Sequence, residues 1–429
     1  MDKIIKPIKK LEGTVNPPAD KSISHRSIIF SSIAEGKNKI YNFLRAEDCM
    51  CTLNAFKSMG VSIHDDGKVI TIEGKGLRSL KLQKSPIYLG NSGTSMRLIP
   101  GVLAGQNFTT ILEGDESLSN RPMKRIIEPL REMGVIISSN NDKMTPPLNI
   151  DGALSKLKPI KYVSKIASAQ VKSCVLLAAL YANGKTTFSE PFRSRDHTEK
   201  MLEYFEANIQ INDNVVSVES PTKLISKDIF VPSDISSAAF FMVGGLLFEG
   251  SRVTLKNVGI NPTRTGIIDV LKRMGASLEI TNVNNTLEPV ADIIVSSSNL
   301  NGTTIEESEI PLLIDEVPIL TVAAAFASSP TIIKGIKELK VKETDRAHSM
   351  ITNLSKMGVV IKEENDQLYI EGRASKLKGG VFESFGDHRT VMSMAIAGLK
   401  AINSSTIKGI DCINTSYPQF FDDLDAISK

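Results

Sequence analysis

Positive side chains gather in this sequence at places where a folded chain ordinarily avoids them. Lys21 and Arg26 stand in ADKSISHRSII, and His388 and Arg389 in GDHRTVMSMA, each at the polar edge of a small-residue apolar run that reads as a helix. Ser, Asn and Asp at such an edge are explained by capping, because their oxygens accept the first unsatisfied N–H groups. Cations are not, since a helix N-terminus already carries the positive end of the backbone dipole. A bound anion reconciles the two, so these residues point to a small anionic ligand held at helix N-termini. More cations accompany acids: Arg121 and Arg125 in NRPMKRIIEPL, and Lys342 and Arg346 in VKETDRAHSM with Glu343 and Asp345 beside them. If those segments are helical, each i,i+4 pair shares a face. With Asp315 ahead of a further apolar run, the set combines fixed positive charge with carboxyl groups able to move protons. A salt-bridged surface helix would account for K-E-x-D-R taken alone. Its association with the N-terminal clusters favours a site.

The elements that must position these groups recur along the chain. A polar cluster, an apolar helix, a stop and a β-rich run appear six times, beginning SISHRSIIF, SGTSMRLIP, SAQVKSCVL, ISSAAFFMV, VPILTVAAA and HRTVMSMAI. The clusters comprise Lys21 with Ser22, residues 91–94, 168–170 and 233–237, Asp315, and residues 387–389. A second phrase, a helix followed by M-G-[VA] and an alternating strand, marks Met59, Met133, Met274 and Met357, with a degenerate copy at Ala207; the recurrence is about 70 residues, one sixth of the 429. The chain is therefore read as six α/β units. The last unit ends in a helix-like tail, FFDDLDAISK, with no strand after it, while the strand-like IIKPIKKLEGTV precedes the first. That N-terminal segment is expected to complete the last unit, which brings the chain ends into one domain. Three units per domain gives residues 20–231 as one and 1–19 with 232–429 as the other, with a crossover at 231–233 where Pro232 restricts the backbone. Packing around a pseudo-threefold axis would bring three helix N-termini together on each domain face.

Composition narrows the field. Hydrophobic residues at 41% and charged residues at 23% support globular cores, and 429 residues exceed what one core normally holds. A formal charge of +3 spread along the chain, with no Trp and 5% aromatics, offers neither a basic stripe nor a stacking platform for nucleic acid. No stretch is long enough to span a membrane and the N-terminus lacks an apolar signal core, so a soluble cytoplasmic protein is expected. Cys49 and Cys51 are too close for ordinary zinc spacing, and Cys174 and Cys412 do not complete a second pair, so neither metal nor disulfide is expected. Gly184-Lys185-Thr186 lacks the earlier glycine of a P-loop, and neither G-x-G-x-x-G after a strand nor a nucleophile elbow is present.

Over nearly the whole chain the phrases DKSISHR, GNSGTSMR, NRPM, SAQVK, SRDHTE, NPTR, VKETDR, GDHR and SYPQF, with the Asp315 segment, resemble the EPSP synthases. SAQVK, RDHTE and NPTR are similar to the class II form associated with glyphosate tolerance. Ala19 departs from the glycine usual there, and Thr415 stands where the class I form has lysine. The resemblance implies an inside-out α/β barrel of two three-unit domains closing on shikimate-3-phosphate and phosphoenolpyruvate, without a cofactor, in a monomer. It implies that Lys21, Ser22, Arg26, Ser168, Gln170, Ser194 or Arg195, Asp315 and Lys342 hold shikimate-3-phosphate. Phosphoenolpyruvate would be held by Lys21, Gly93, Arg121, Gln170, Glu343, Arg346, His388 and Arg389, with Thr94 between the two.

The implied reaction moves the enolpyruvyl group to the 5-hydroxyl of shikimate-3-phosphate. It needs a base for that hydroxyl, for which Asp315 is the candidate, and a group exchanging a proton with the methylene carbon, for which Glu343 is; Lys21 joins them in the catalytic set. Glu343, flanked by Lys342 and Arg346, should be ionised until a bound anion offsets those cations. Two rival readings exist. A UDP-N-acetylglucosamine enolpyruvyl transferase would carry a cysteine on a mobile loop, and GDESLSNRPM has none. A catalytically silent anion-binding homologue would need neither Asp315 nor Glu343.

Overall fold

The computed structural model describes residues 1–83, 85–139, 142–220, 222–373 and 377–429. The chain divides into a central unit, Ala19–Val231, and a terminal unit, Met1–Pro18 with Pro232–Lys429.

The central unit is built from one motif used three times. Its sheets run Ile229–Phe230, Glu35–Tyr41, Val69–Lys75, Ser62–Asp65; Ile87–Tyr88, Thr109–Glu113, Leu148–Asp151, Ile136–Ser139; and Lys161–Val163, Gly184–Ser189, Val215–Ser220, Ile209–Asn212. In each the short first strand pairs in parallel with the second, and the other pairings are antiparallel. Helices Lys21–Ile33, Gly93–Leu103 and Ala169–Ala179 belong to the three motifs. Every residue from Ile23 to Ile33 is buried, whereas strand Val69–Lys75 alternates, with Ile70 and Ile72 buried and its end exposed. A helix surrounded by protein beside a strand with one solvated face is the reverse of a barrel with helices outside.

In the terminal unit the corresponding helices are Ile235–Leu247, Val317–Phe326 and His388–Leu399, and each packs on the other two. All residues of the first and third are buried. Two of its sheets keep the four-strand order; the third has three strands, with Asp2–Ile5 antiparallel to Ser405–Lys408 and Val381–Glu383 parallel to it. The N-terminal segment therefore does not act as one piece. Asp2–Ile5 completes the last sheet as the sequence suggested, but Glu12–Val15 joins Arg252–Gly259 of the fourth motif in parallel. Ile229–Phe230 behaves likewise, pairing with Glu35–Tyr41 of the first motif although the next helix in sequence is Ile235–Leu247. Each strand preceding a crossover thus pairs within the unit that the chain is leaving, and no periodicity in the sequence signals that exchange.

The M-G-[VA] phrase is a helix stop. Helices Glu47–Ser58, Lys124–Glu132, Gly266–Arg273 and Arg346–Lys356 end at methionine, and the following Gly60, Gly134, Gly275 and Gly358 have φ of 84°, 89°, 93° and 93°. That left-handed turn is open to glycine at little cost. The degenerate copy shows the same geometry, with Glu206 at φ 66° after helix His197–Tyr204.

Candidate active site

The N-terminal clusters of the central unit sit where the repeat predicted. Asp20, Ser92 and Ser168 cap helices Lys21–Ile33, Gly93–Leu103 and Ala169–Ala179, their side chains accepting from the N–H groups of Ile23, Ser95 and Val171. Lys21 is the first residue of its helix, half-buried, and its Nζ donates to Asp48 Oδ2 at 3.1 Å. Ser22, Thr94, Ser168, Gln170 and Arg195 are likewise half-buried. Arg26 is almost fully enclosed and is fixed on all sides: Nε donates to Thr198 Oγ1 at 2.7 Å, one terminal nitrogen to the Ser22 carbonyl at 3.0 Å and the other to Ser173 Oγ at 2.7 Å. The rigidity of that guanidinium is a property of the protein itself.

Beside it, Gln170 Nε2 donates to Thr94 Oγ1 at 3.2 Å while its Oε1 accepts from Arg97 at 3.1 Å. Arg121 donates to Asn91 Oδ1, and Asn91 donates to Asp115 Oδ2 at 2.8 Å. Gly93 explains how the two arginines share this corner. A Cβ at position 93 would lie 3.0 Å from a terminal nitrogen of Arg121 and 3.0 Å from one of Arg97, closer than ordinary contact. Ser194 differs from the residues around it. It is buried, and its N–H and hydroxyl both donate to the carboxylate of Glu190, at 2.9 Å and 2.7–2.8 Å. With its only hydroxyl proton directed at Glu190, Ser194 has no donor left for a ligand.

In the terminal unit one arginine organises the rest. Arg346, 2% exposed, sends Nε to Asp387 Oδ2 at 2.8 Å, one terminal nitrogen to Asp315 Oδ1 at 2.9 Å and the other to Glu343 Oε2 at 2.7 Å. Arg389 donates to the Asp315 carbonyl at 3.2 Å, and its Nε lies 3.6 Å from Asp315 Oδ1. Burial pushes the Asp387 carboxyl up, but Arg346 and then His388 outweigh burial and hold it below the ordinary carboxylate range. Burial likewise opposes the charge on Arg346, and Asp387, Glu343 and Asp315 overcome it, so its pKa is raised. His388 opens helix His388–Leu399, capped by Asp387, and its Nδ1 is 3.4 Å from Thr415 Oγ1.

Two expectations need correction. Arg121 and Lys342 are not on helices: helix Lys124–Glu132 starts after Arg121, and Arg346 is the first residue of helix Arg346–Lys356. The i,i+4 pairs therefore share no helical face. Asp345 caps the second helix by accepting from His348 N–H, which leaves Lys342 and Glu343 in the bend ahead of it. Nor do all of the N-terminal cations lack a counter-charge within the protein: Lys21 is paired with Asp48 and Arg389 lies 3.6 Å from Asp315, while Arg346 is held by three acids. Asp48, Arg97, Glu190 and Asp387 were missed as partners. Arg97 was within reach of the sequence, because it lies one helical turn beyond Gly93 on the same face. Among the described residues, no group of three or more His, Cys, Asp or Glu is arranged to hold a metal, and no helix is long and apolar enough to cross a membrane.

Residues 5–424 match the family model of EPSP synthase (3-phosphoshikimate 1-carboxyvinyltransferase). A 3-phosphoshikimate 1-carboxyvinyltransferase of Citrifermentans bemidjiense is 49% identical over 424 residues, covering 99% of this chain and 98% of its own length. One from Thermodesulfovibrio yellowstonii is 50% identical over 434 residues, with 100% of both chains covered. The solved structure of EPSP synthase from Acinetobacter baumannii superimposes with a TM-score of 0.90 at 46% identity, covering 100% of this chain and 98% of that one. At 16% identity the enolpyruvyl transferase NikO from Streptomyces tendae, with a TM-score of 0.77 and coverage of 99% and 96%, shares the fold.

Proposed function

This chain belongs to the EPSP synthase family and is a 3-phosphoshikimate 1-carboxyvinyltransferase, and from that premise we propose how its residues divide the work. The reaction carries the enolpyruvyl group of phosphoenolpyruvate to the 5-hydroxyl of shikimate-3-phosphate and releases phosphate, a step in aromatic amino acid biosynthesis. In the central unit, Lys21, Ser22, Arg26, Thr94, Ser168, Gln170 and Arg195 take shikimate-3-phosphate, and Lys21, Gly93, Gln170 and Arg121 take phosphoenolpyruvate. In the terminal unit, Asp315 and Lys342 serve the first substrate and Glu343, Arg346, His388 and Arg389 the second. Of the pair at 194 and 195 the reading favours Arg195, because the Ser194 hydroxyl proton is engaged by Glu190.

Asp315 withdraws the proton of the 5-hydroxyl as its oxygen forms a bond to C2 of phosphoenolpyruvate. Glu343 delivers a proton to C3, so the carbon–carbon double bond becomes a single bond. In the second half, the C2–phosphate oxygen bond breaks with its electron pair leaving on the phosphate, the new methyl group returns a proton to Glu343, and the double bond forms again. Lys21, Arg121, Arg346 and Arg389 supply fixed positive charge to the phosphate and carboxylate throughout. The observation that carries the reading is the single buried Arg346 holding both Asp315 and Glu343 on separate nitrogens. Such charge-assisted bonds hold both acids in place until substrate binds. Anions arriving beside Arg346 weaken its hold on Glu343, which makes that carboxyl easier to protonate.

Phosphate release is the assay, run with both substrates together and with each alone. Asp315→Asn and Glu343→Gln retain binding, since neither removes a cation, and lose about a hundredfold or more in turnover. Turnover within a few fold of the parent in either variant rejects that residue's role. The protein is proposed to work as a monomer in the cytoplasm, which sedimentation and cell fractionation test.

A further inference from the structure

Behind Ser168 and Arg195 lies a charged cluster that the reaction does not use. Lys172, one turn into helix Ala169–Ala179 and 2% exposed, directs its ammonium to Glu190 Oε1 at 2.7 Å, Glu199 Oε1 at 2.6 Å and the Ser194 carbonyl at 3.2 Å. These three acceptors match its three donors. Glu190 and Glu199 are themselves 1% and 2% exposed, so two carboxylates share one cation out of contact with water. A buried cluster of this kind is a weak source of net stability, since well-packed apolar residues of the same volume often do as well. Its consequence has to be sought in what it holds in place.

The two carboxylates have different duties. Glu190 uses both oxygens on its surroundings. Oε1 accepts from Ser194 N at 2.9 Å, both lie within 2.8 Å of the Ser194 hydroxyl, and Oε2 accepts from Ser168 N at 3.3 Å. It thereby joins the cap of one helix to the loop that carries Arg195. Glu199, in the first turn of helix His197–Tyr204, touches Lys172 through Oε1, and its Oε2 has no hydrogen-bond partner among the described residues. Burial, opposed by Lys172, leaves the Glu199 carboxyl above its ordinary range.

We propose that Glu190, clamped by Lys172, is a positioning residue for recognition of the substrate phosphate: it locks the 194–196 loop to the Ser168 cap so that Ser168, Gln170 and Arg195 meet one phosphate together. Glu199 balances charge and holds nothing else. The inference rests on the proposed assignment of Ser168, Gln170 and Arg195 to shikimate-3-phosphate, and it adds a residue that never touches the ligand.

Kinetics of three single variants of the full chain test it, with KM for each substrate, kcat and melting temperature measured. Glu190→Gln keeps the shape but loses the charge that gathers Ser194 and Ser168. It is expected to raise KM for shikimate-3-phosphate about tenfold or more, the scale of a displaced positioning contact, with KM for phosphoenolpyruvate and kcat within about threefold. Glu199→Gln leaves all three constants within about threefold of the parent. A merely structural cluster predicts the opposite pattern, with both glutamines acting alike or every constant drifting together, and either result overturns the proposal. Should Glu190→Gln fail to fold, Glu190→Asp, which keeps the charge but shortens the reach, must show the same selective rise or the proposal falls. Arg195→Ala separates the two layers: if it leaves KM for shikimate-3-phosphate unchanged, the assignment of the phosphate residues is wrong.

Discussion

Replacing Arg346 by methionine puts the terminal unit's charge arrangement under direct strain. Methionine approximates the length of the aliphatic stem but removes three charge-assisted bonds, to Asp387 at 2.8 Å, Asp315 at 2.9 Å and Glu343 at 2.7 Å. The three acids are not equal in what they lose. Glu343 at 29% and Asp315 at 14% side-chain exposure recover part of their solvation, whereas Asp387 at 0% recovers none. Among the described residues its buried charge would keep only the Arg389 N–H that it caps and the neighbouring His388, and breaking a buried pair in this way costs about 3–5 kcal/mol. For a unit of roughly 200 residues, at about 2–4 °C per kcal/mol, the melting transition of the terminal unit falls by about 6–20 °C. Asp387 also escapes part of that cost by taking up a proton, so the deficit should shrink in acid. In the parent, Asp387 has a folded-state pKa below its unfolded value, so its contribution is full above that unfolded value, near 3.8, and disappears as pH falls through the folded one. Calorimetry of parent and variant from pH 7 down to pH 3, with phosphate release at pH 7, reads both effects. Turnover should fall by at least about a hundredfold, because both proposed acids lose their common anchor. A variant melting within about 2 °C of the parent at pH 7, or one whose deficit grows as pH falls, refutes the reasoning.

Other perturbations follow from the same geometry. His25 is buried neutral: burial first, then Lys21 and Arg26, hold its pKa well below 6.5, and Nδ1 lies 2.7 Å from Thr52 Oγ1. Its contribution is therefore full above pH 6.5 and is lost as pH falls from there through the folded value, so the parent's melting temperature should drop between pH 7 and pH 5 and His25→Gln should flatten that slope. Gly93→Ala crowds Arg121 and Arg97, whose nitrogens would stand 3.0 Å from the new Cβ, and should raise KM for phosphoenolpyruvate while leaving KM for shikimate-3-phosphate within about threefold. Ser236 accepts from Arg264 at 2.7 Å and donates to the fully buried Glu316, so Ser236→Ala strands a carboxylate oxygen and should cost about 1–3 kcal/mol in chemical denaturation. Glyphosate is expected to inhibit weakly, because Thr415 stands where a lysine would add a cation; competition titration against phosphoenolpyruvate at saturating shikimate-3-phosphate gives the inhibition constant, and one far below the KM for phosphoenolpyruvate rejects that expectation.

What can be read from the sequence, and what cannot, separates along a physical line. Local signals are legible. The apolar helices, their polar edges and the M-G stops each depend on neighbouring residues alone, and so Lys21, Ser168, Asp315 and His388 can be placed at or just ahead of helix starts from residue order. The strand exchanges of Glu12–Val15 and Ile229–Phe230 are hidden because a four-residue and a two-residue strand carry no period, and their partners lie far along the chain. Charge balance is hidden for a related reason. Sequence shows a cation at a helix N-terminus but not Asp48, 27 residues away from Lys21, nor Asp387, 41 residues away from Arg346. That omission changes the reasoning about function. If the cations were uncompensated, binding would be driven by relief of their repulsion; because Lys21 and Arg346 already face carboxylates, an incoming anion must compete with Asp48, or with Asp315 and Glu343, for the same donors. The acids proposed for catalysis, Asp315 and Glu343, are then among the groups most affected by ligand arrival. On the proposed mechanism, an anion that draws Arg346 away from Glu343 raises that carboxyl's affinity for a proton at the moment one is needed at C3, so the arrival of substrate itself prepares the group for proton transfer.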